Sequence, residues 1–554
     1  MRRSAAQLHA LAEVEREIRA TDPHFRRKYL REFAEAYTRY SHVLTPTQLS
    51  AKLLQADILL VGDYHALPRS QQFTAELVEQ LATAGHRVAL GLEMFFARDQ
   101  RFLNSWQRGE IGDEQLRYRV RHDTEWGYSW DSLRDLLLRA RLAGASVHGL
   151  DCQPRGDLRR IAIRDRHAAS KIDEIQSEIP GLTQVVLFGE SHLAPLHLPK
   201  LVRSALPGSR VLVVLQNVDP LYWQASGEPL DAVHAVQVDD ATVCVFNATP
   251  LEKYESYRQC IDGWRQERPG APDVAPTFYN LVDALVRFLD VNLCPPMKDV
   301  RLLRGILPEV MSVADYESVR RLMTAPRRAA LSAGPAVRQA MRKAEIDLVR
   351  DRLDEAGCCY VPTLNNLLVK QFEMRFAAEE AARFVCSSGW GDVGVAPVAR
   401  VGEAAFYRSC LMRALVEYGS RVLCPGRQPV REYELFSFYG NDQEEKSPLS
   451  VGHRDFMRLI DFIVLHRDFE LNTRQYRVVP DLVREGRSYS GESFDFATKW
   501  LGRLLGSELY DAYLKGTVSK RTIRTLFLNR GQNPKAAYFR LAHRCRSQRR
   551  ELAA

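Results

Sequence analysis

Two short segments hold the residues best suited to chemistry. In each, four apolar residues run into glycine, an acidic residue, any residue and histidine. ILLV-GDYH supplies Gly62, Asp63 and His65, and VVLF-GESH supplies Gly189, Glu190 and His192. A carboxylate and an imidazole placed so close together can hold a metal ion or move a proton near neutral pH. Two histidines and a carboxylate, here His65, His192 and Glu93, suit a divalent transition metal through neutral imidazole nitrogen and ionised oxygen. The same groups can work without metal, one acid-held imidazole taking a proton from water while the other polarises a carbonyl. The spacing leaves both chemistries open.

An apolar run that stops at Gly-acid-x-His is the pattern of a buried strand presenting its last side chains at its carboxyl end. Similar strands are predicted at 87–95 (RVALGLEMF), 146–151 (SVHGLD) and 210–217 (RVLVVLQN), with helical patterns between them, one opening near Pro68. Two shorter strands within 232–247 are expected to close the sheet. Near-continuous apolar strands alternating with helices predict an α/β fold, a mostly parallel sheet flanked by helices. Ligands of such sheets sit outside the carboxyl ends of the strands. Asp63, His65, Glu93, Asp151, Glu190 and His192, with Gln216 and Asn217, are therefore expected along one edge. Taken singly, each acid also reads as a helix cap and each histidine as a satisfied core residue.

With 554 residues, 45% apolar and 26% charged, the chain has the composition of a soluble globular protein of two or more domains. No run reaches the roughly 18 apolar residues of a membrane helix. The first residues, MRRSAAQLHALAEVEREIRA, lack an apolar core and a cleavage site, so neither secretion nor a lipid anchor is expected. The ten cysteines form no C-x-x-C pattern, and Cys358 and Cys359 are adjacent, so reduced thiols in a cytoplasm are expected.

The predicted organisation is a helical segment over 1–44, the α/β domain over 45–267, a mostly helical region over 277–514 and a basic tail over 515–554. RPGAPDVAP at 268–276 is the expected boundary, and GNDQEEKSPLS at 440–450 a second break. The tail holds eleven Lys or Arg and one acid, Glu551, so it carries +10 in a chain whose total is +8. It predicts one or two short helices with a cationic face, a solvated surface or a site for an acidic partner. Phe527, Tyr538 and Phe539 are expected to pack in the interior, so nucleic acid is not the expected partner. GWGDVG, with Gly389, Gly391 and Gly394, has dinucleotide-loop spacing but is followed by Ala396-Pro397, which predicts a plain loop.

GDYH after a strand, LGLEMF on the next, YSW at 128–130, GLDCQPRGD at 149–157, RDRHAA at 164–169 and FGESH together resemble the ChaN-like proteins. These belong to the haem-binding-uptake, Tiki, TraB and erythromycin-esterase superfamily, and the resemblance covers about residues 45–250. It implies an α/β core in which paired G-x-x-H motifs and a glutamate line one site. His65 and His192 match the motif histidines and Glu93 the glutamate. Asp63 stands where erythromycin-esterase-like members have Glu, and Glu190 keeps the acid. In that branch a motif histidine activates water, whereas Tiki-like members use the equivalent positions for metal-dependent peptide cleavage. ChaN-like members are linked to haem or iron, often as lipoproteins. Tyr64, Tyr128 and Asp151 are the cofactor-side residues by location, and Arg98, Asp99, Gln100 and Arg164 stand at family-like positions.

The chain departs from the ChaN-like group in lacking an anchor signal and in carrying about 280 further residues after the linker. Three expectations follow. The first is a protein that binds haem, iron or another small ligand at the strand edge. The second is a cytoplasmic hydrolase, with or without metal, using His65 and His192 with Glu93 to activate water. The third is a partner-binding scaffold with a vestigial site.

Overall fold

The computed structural model describes residues 5–21, 28–153, 161–226 except 180, 233–265, 273–291, 307–324 except 314, 335–391, 403–439 except 426, 452–470, 491–528 and 533–546. The predicted break at 440–450, most of RPGAPDVAP, part of GLDCQPRGD, Gly394 and residues 529–532 and 547–554 of the basic tail lie outside them. The chain divides into two compact units, residues 11–272 and residues 2–10 with 273–554.

The first unit is built on an eight-stranded sheet of β1 (His42–Leu44), β2 (Ile58–Asp63), β3 (Arg87–Phe96), β4 (Ser146–Asp151), β5 (Leu182–Gly189), β6 (Val211–Gln216), β7 (Ala235–Asp239) and β8 (Thr242–Val245), in the order β1-β7-β8-β6-β2-β5-β3-β4. The run β8-β6-β2-β5-β3-β4 is parallel, and β7 and β1 add antiparallel strands at the other edge. This is the α/β architecture expected, with β1 an addition that the polar sequence around it conceals. Every residue of β2, β5 and β6 is buried, as helices on both faces require. Alternation sorts their side chains into two cores. Leu59, Val61, Leu90, Val185, Leu187 and Val214 pack on one face; Ile58, Leu60, Ala89, Val186, Phe188 and Val213 pack on the other. Each such side chain contributes roughly 1.5–3 kcal/mol by leaving water.

Two local features aim the strand ends. The register of β3 against β4 shifts between Leu92 and Phe96, where three residues of β3 face one of β4. This bulge straddles Glu93 and re-aims it, as bulges do. Gly149 on β4 makes room for it, since a Cβ there would meet the carbonyl oxygens of Phe96 at 2.6 Å and Phe95 at 3.0 Å. The helix Pro68–Thr83 starts immediately after β2, with Pro68 in its first turn.

The second unit is largely helical, with long helices at Met374–Trp390, Glu403–Leu423, His453–Phe469 and Gly491–Lys515, and shorter ones at Lys520–Phe527 and Pro534–Arg546. It also holds a three-stranded sheet of β9 (Glu309–Ser312), β10 (Cys358–Val361) and β11 (Asn366–Val369), in the order β10-β11-β9. On β10, Cys358 and Cys359 point to opposite faces as successive strand residues must, and both are buried. GWGDVG corrects the loop expected there: Gly389 lies in the last turn of Met374–Trp390 and Gly391 is its left-handed cap at φ +74°.

A buried polar network crosses this helical core. His466 Nδ1 lies 3.1 Å from Glu470 Oε1, and its Nε2 lies 3.2 Å from Tyr407 Oη. Arg467 donates to Glu470 at 2.5 Å and to Glu508 at 2.6 Å, and the Tyr538 hydroxyl donates to Glu470 at 2.7 Å. Burial works against the Glu470 charge, but Arg467 and His466 outweigh it and hold the carboxyl at about 2. Phe527, Tyr538 and Phe539 are all buried, as expected of side chains that pack. Among the described residues, no helix is long and apolar enough to cross a membrane.

Candidate functional site

The carboxyl end of β2 presents Asp63, which is wholly buried and held from two sides. Gln71, in the first turn of Pro68–Thr83, donates to Asp63 Oδ1 at 2.7 Å, and His65 Nδ1 meets Asp63 Oδ2 at 2.7 Å. An ionised carboxylate only accepts hydrogen bonds, so Nδ1 carries the proton and Nε2 is the open nitrogen of His65.

A second pair repeats this arrangement after β5. His192 stands in the 3₁₀ turn Glu190–Leu193, and its Nδ1 lies 2.5 Å from Asp165 Oδ1. Asp165 is on the helix Ile161–Glu178 and also accepts from the Tyr29 hydroxyl at 3.0 Å.

Glu93 lies between the two pairs. His65 Nε2 is 3.8 Å from Glu93 Oε2, and His192 Nε2 is 3.7 Å from Glu93 Oε1. Arg164 donates to Glu93 Oε1 at 2.5 Å, and the Gly189 N–H donates to Oε2 at 2.5 Å. Arg164 in turn grips Asp151 through two bonds of 2.8 and 3.0 Å. The result is a line of groups, Asp63–His65, Glu93, His192–Asp165, in which both imidazoles turn their open nitrogen toward one carboxylate. Gly189 is required at its centre: a Cβ there would sit 3.1 Å from both Glu93 Oε2 and His65 Nε2.

Burial and charge set the protonation of this line. Burial opposes the Glu93 charge, but Arg164, the two imidazoles and the Gly189 N–H outweigh it and hold Glu93 well below the usual carboxylate range. Burial also opposes a charge on His65, yet Glu93 and Asp63 prevail and raise it above an ordinary imidazole. Burial raises Asp63, with His65 and Gln71 pulling the other way. His65 is the most open of these groups, its side chain 22% exposed against 3% for Glu93 and 5% for His192.

Aromatic rings wall the open side of His65. Its ring centroid is 4.5 Å from Trp126 and 5.3 Å from Tyr128, and Tyr128 lies 5.3 Å from Trp264. Glu190 is taken up elsewhere: it accepts from Lys253 Nζ at 3.0 Å, and that ammonium also lies 4.8 Å from the centre of the Tyr64 ring. Burial lowers and Glu190 with Asp219 raises Lys253, with a net upward shift, while burial holds Glu190 above its usual range against the pull of Lys253.

Of the expected edge residues, the structure thus brings together Asp63, His65, Glu93 and His192, with Asp151 acting through Arg164. Glu190 and Tyr64 meet at Lys253, and Tyr128 belongs to the aromatic wall. Gln216 and Asn217 are spent on structure. Gln216 donates to the carbonyl of Gly62 at 2.8 Å, and Asn217 bonds Asn247. Gln100 satisfies the backbone of Val147 and Gly149, and Arg98 lies over Phe96. Asp165, Lys253, Tyr29 and Trp126 are additions. Asp165 was visible beside Arg164 in RDRHAA; Lys253 sits on the helix Pro250–Arg265 with no motif to mark it.

The chemistry around His65, His192 and Glu93 does not favour a metal ion. Among the described residues, no group of three or more His, Cys, Asp or Glu is arranged to hold a metal ion. The reason is chemical: both Glu93 oxygens already accept hydrogen bonds, one from a guanidinium that would repel a second cation. Burial pushes the Tyr64 and Tyr128 phenols up, away from the phenolate form. His65, partly exposed beside Trp126 and Tyr128, is the residue that could hold a bound group.

Residues 49–183 match the family model described as haem-binding uptake, Tiki superfamily, ChaN. The match ends short of Glu190 and His192. No curated protein matches the chain. Among solved structures, "Cofacial heme binding to ChaN of Campylobacter jejuni" is 13% identical, covering 31% of this chain and 86% of that one at a TM-score of 0.27. "The structure of the type III effector HopBA1" is 14% identical, covering 38% and 97%, also at 0.27.

Proposed function

The chain carries a ChaN-like domain of the haem-binding-uptake, Tiki superfamily, and we propose that its strand edge is an acid–base site that activates water against a small-molecule substrate. The observation that carries this is the pair of carboxylate-oriented imidazoles facing one ionised glutamate at 3.8 and 3.7 Å. Asp63 and Asp165 fix the tautomer of each ring, so both open nitrogens point to the same place. His192 takes the proton of the attacking water. His65, raised above an ordinary imidazole and so charged more readily, donates to the carbonyl oxygen and gives its proton to the leaving group. Glu93 stabilises whichever ring is charged and is itself kept ionised by Arg164. The aromatic wall beside His65 supplies an apolar face for the substrate. The compartment that suits this reading is the cytoplasm, since the nine described cysteines are thiols.

Hydrolysis of p-nitrophenyl acetate by the purified full chain tests the proposal, with His65→Ala and His192→Ala beside it. Turnover should fall by about 100-fold in each with the fold intact; unchanged turnover in both would refute it.

A second reading, haem binding, is favoured by the family match and by His65 beside Trp126 and Tyr128. Bound haem would supply its own redox and ligand chemistry, and His65 would be the residue to hold it. A Soret shift on haemin titration, absent in His65→Ala, would establish it, and a titration with no shift would remove it.

A further inference from the structure

The helix Lys28–Ala36 stands before the matched residues 49–183, yet its side chains converge on His192. Tyr29, Phe33 and Tyr37 recur at intervals of four, the spacing that stacks side chains on one face of a helix. Phe33 and Tyr37 are buried and share a core with Phe188, Leu193 and Ala194, which flank His192 in sequence. Their rings meet edge to face at 5.2 Å.

Three polar contacts leave this face, each to a different support of His192. The Tyr29 hydroxyl donates to Asp165 Oδ2 at 3.0 Å, while His192 Nδ1 lies on the other oxygen, Oδ1. The Tyr37 hydroxyl donates to the Leu193 carbonyl at 2.7 Å, on the 3₁₀ turn that carries His192. Glu32 Oε2 lies 2.9 Å from His197 Nε2. The His197 ring in turn stands 4.0 Å from the Tyr29 ring, and its Nδ1 is 3.8 Å from Asp165 Oδ2. Tyr29 is thus held in place between the carboxylate and a second imidazole. Burial and the Asp165 charge keep its phenol protonated, so the hydroxyl is available to donate.

The two imidazoles of the site differ in how they are supported. Asp63, which orients His65, takes its other hydrogen bond from Gln71, eight residues on. Asp165, which orients His192, takes its other one from Tyr29, 136 residues away. A carboxylate held at one oxygen only can turn about its last bond, and the imidazole it orients turns with it.

We propose that Tyr29 to Tyr37 form a positioning strap for the base of the acid–base site, in which Tyr29 fixes the Asp165 carboxylate and Tyr37 fixes the turn, so that His192 Nε2 faces Glu93. This role presupposes the acid–base reading, which gives His192 the proton of water. It brings into the machinery a segment that the motifs of the strand ends do not mark.

The test compares wild type, Tyr29→Phe, Tyr37→Phe and His192→Ala, each as the full chain. Tyr29→Phe keeps the ring and removes only the hydroxyl. In p-nitrophenyl acetate hydrolysis it should lower kcat about tenfold and leave KM unchanged. Tyr37→Phe should lower kcat in the same way but by less. In the proton NMR spectrum, the low-field resonance of the His192 Nδ1 proton, identified by its loss in His192→Ala, should shift in Tyr29→Phe. An unchanged kcat in Tyr29→Phe, where His192→Ala has lost turnover, would overturn the strap and leave the acid–base reading standing. An unmoved resonance would also overturn it, because any fall in kcat would then not pass through His192. Full turnover in His192→Ala would remove the base, and the strap with it.

Discussion

Each unit buries a histidine against a carboxylate and an arginine, but the two sets end differently. In the helical unit His466 has both ring nitrogens engaged, by Glu470 and by Tyr407, and its side chain is fully buried. In the α/β unit His65 and His192 each have one nitrogen tied to an aspartate and turn the other toward Glu93 at a distance too long for a hydrogen bond. The same residue types therefore serve opposite ends. A network that engages both nitrogens of its histidine fixes packing. One that leaves a nitrogen open, beside a partly exposed ring, has somewhere for a proton to go.

The largest expected effect tests the closed side of that contrast. Glu470→Ala leaves the buried Arg467 guanidinium without its nearer partner and should cost about 3–5 kcal/mol. A urea midpoint that barely moves would mean the helical network is not a staple, and neither ester turnover nor haemin binding should respond to it. Next come His65→Ala and His192→Ala. Their cost of about 2.7 kcal/mol should appear in the barrier to turnover and scarcely at all in the urea midpoint. A large stability loss instead would make the α/β set structural too.

A smaller effect is expected at the hub. Gly189→Ala should cost about 1 kcal/mol, because its Cβ must displace the His65 ring or the Glu93 carboxylate, each 3.1 Å away. It should also depress turnover, which an equally small change on the surface would not do.

The smallest effect is on pH dependence. The folded protein binds the His65 proton more tightly than the unfolded chain does. That contribution is complete below the ordinary imidazole value of 6.5 and is lost as pH climbs through the raised folded value. Glu93 behaves oppositely, contributing above 4.5 and losing it as pH falls through its depressed folded value. Urea midpoints between about pH 6 and about pH 9 should therefore decline more for the wild type than for His65→Ala. Parallel curves would show that the fold does not hold the His65 proton.

The α/β core was legible because burial on both faces leaves a direct trace: β2, β5 and β6 each hold at least four consecutive apolar residues. The strand ends were legible for the same reason, since polar residues stand out where such runs stop. What alternation could not show was the bulge that turns Glu93, because nothing in LGLEMFF marks where two extra residues enter β3. Asp165, though within RDRHAA, was given no role because an acid on a helix looks like any solvated residue until the helix is docked on its sheet. Lys253 escaped because its partner Glu190 is 63 residues away. In the helical unit β9, β10 and β11 went unread, each being only four residues long and too short to show a period.

The span of the site bears on what can be cut away. Tyr29 reaches Asp165 from before the matched residues 49–183, while His192, Lys253 and Trp264 reach the site or its wall from after them. A fragment trimmed to 49–183 would keep β2, β3 and β4 but lose β5 after its first two residues, and with it Gly189, His192 and the second imidazole. One ending at residue 249 would retain all eight strands yet strip Glu190 of its ammonium and remove Trp264 from the aromatic wall. The smallest piece that preserves the whole constellation runs from about residue 28 to residue 265, nearly twice the length that family membership alone would suggest.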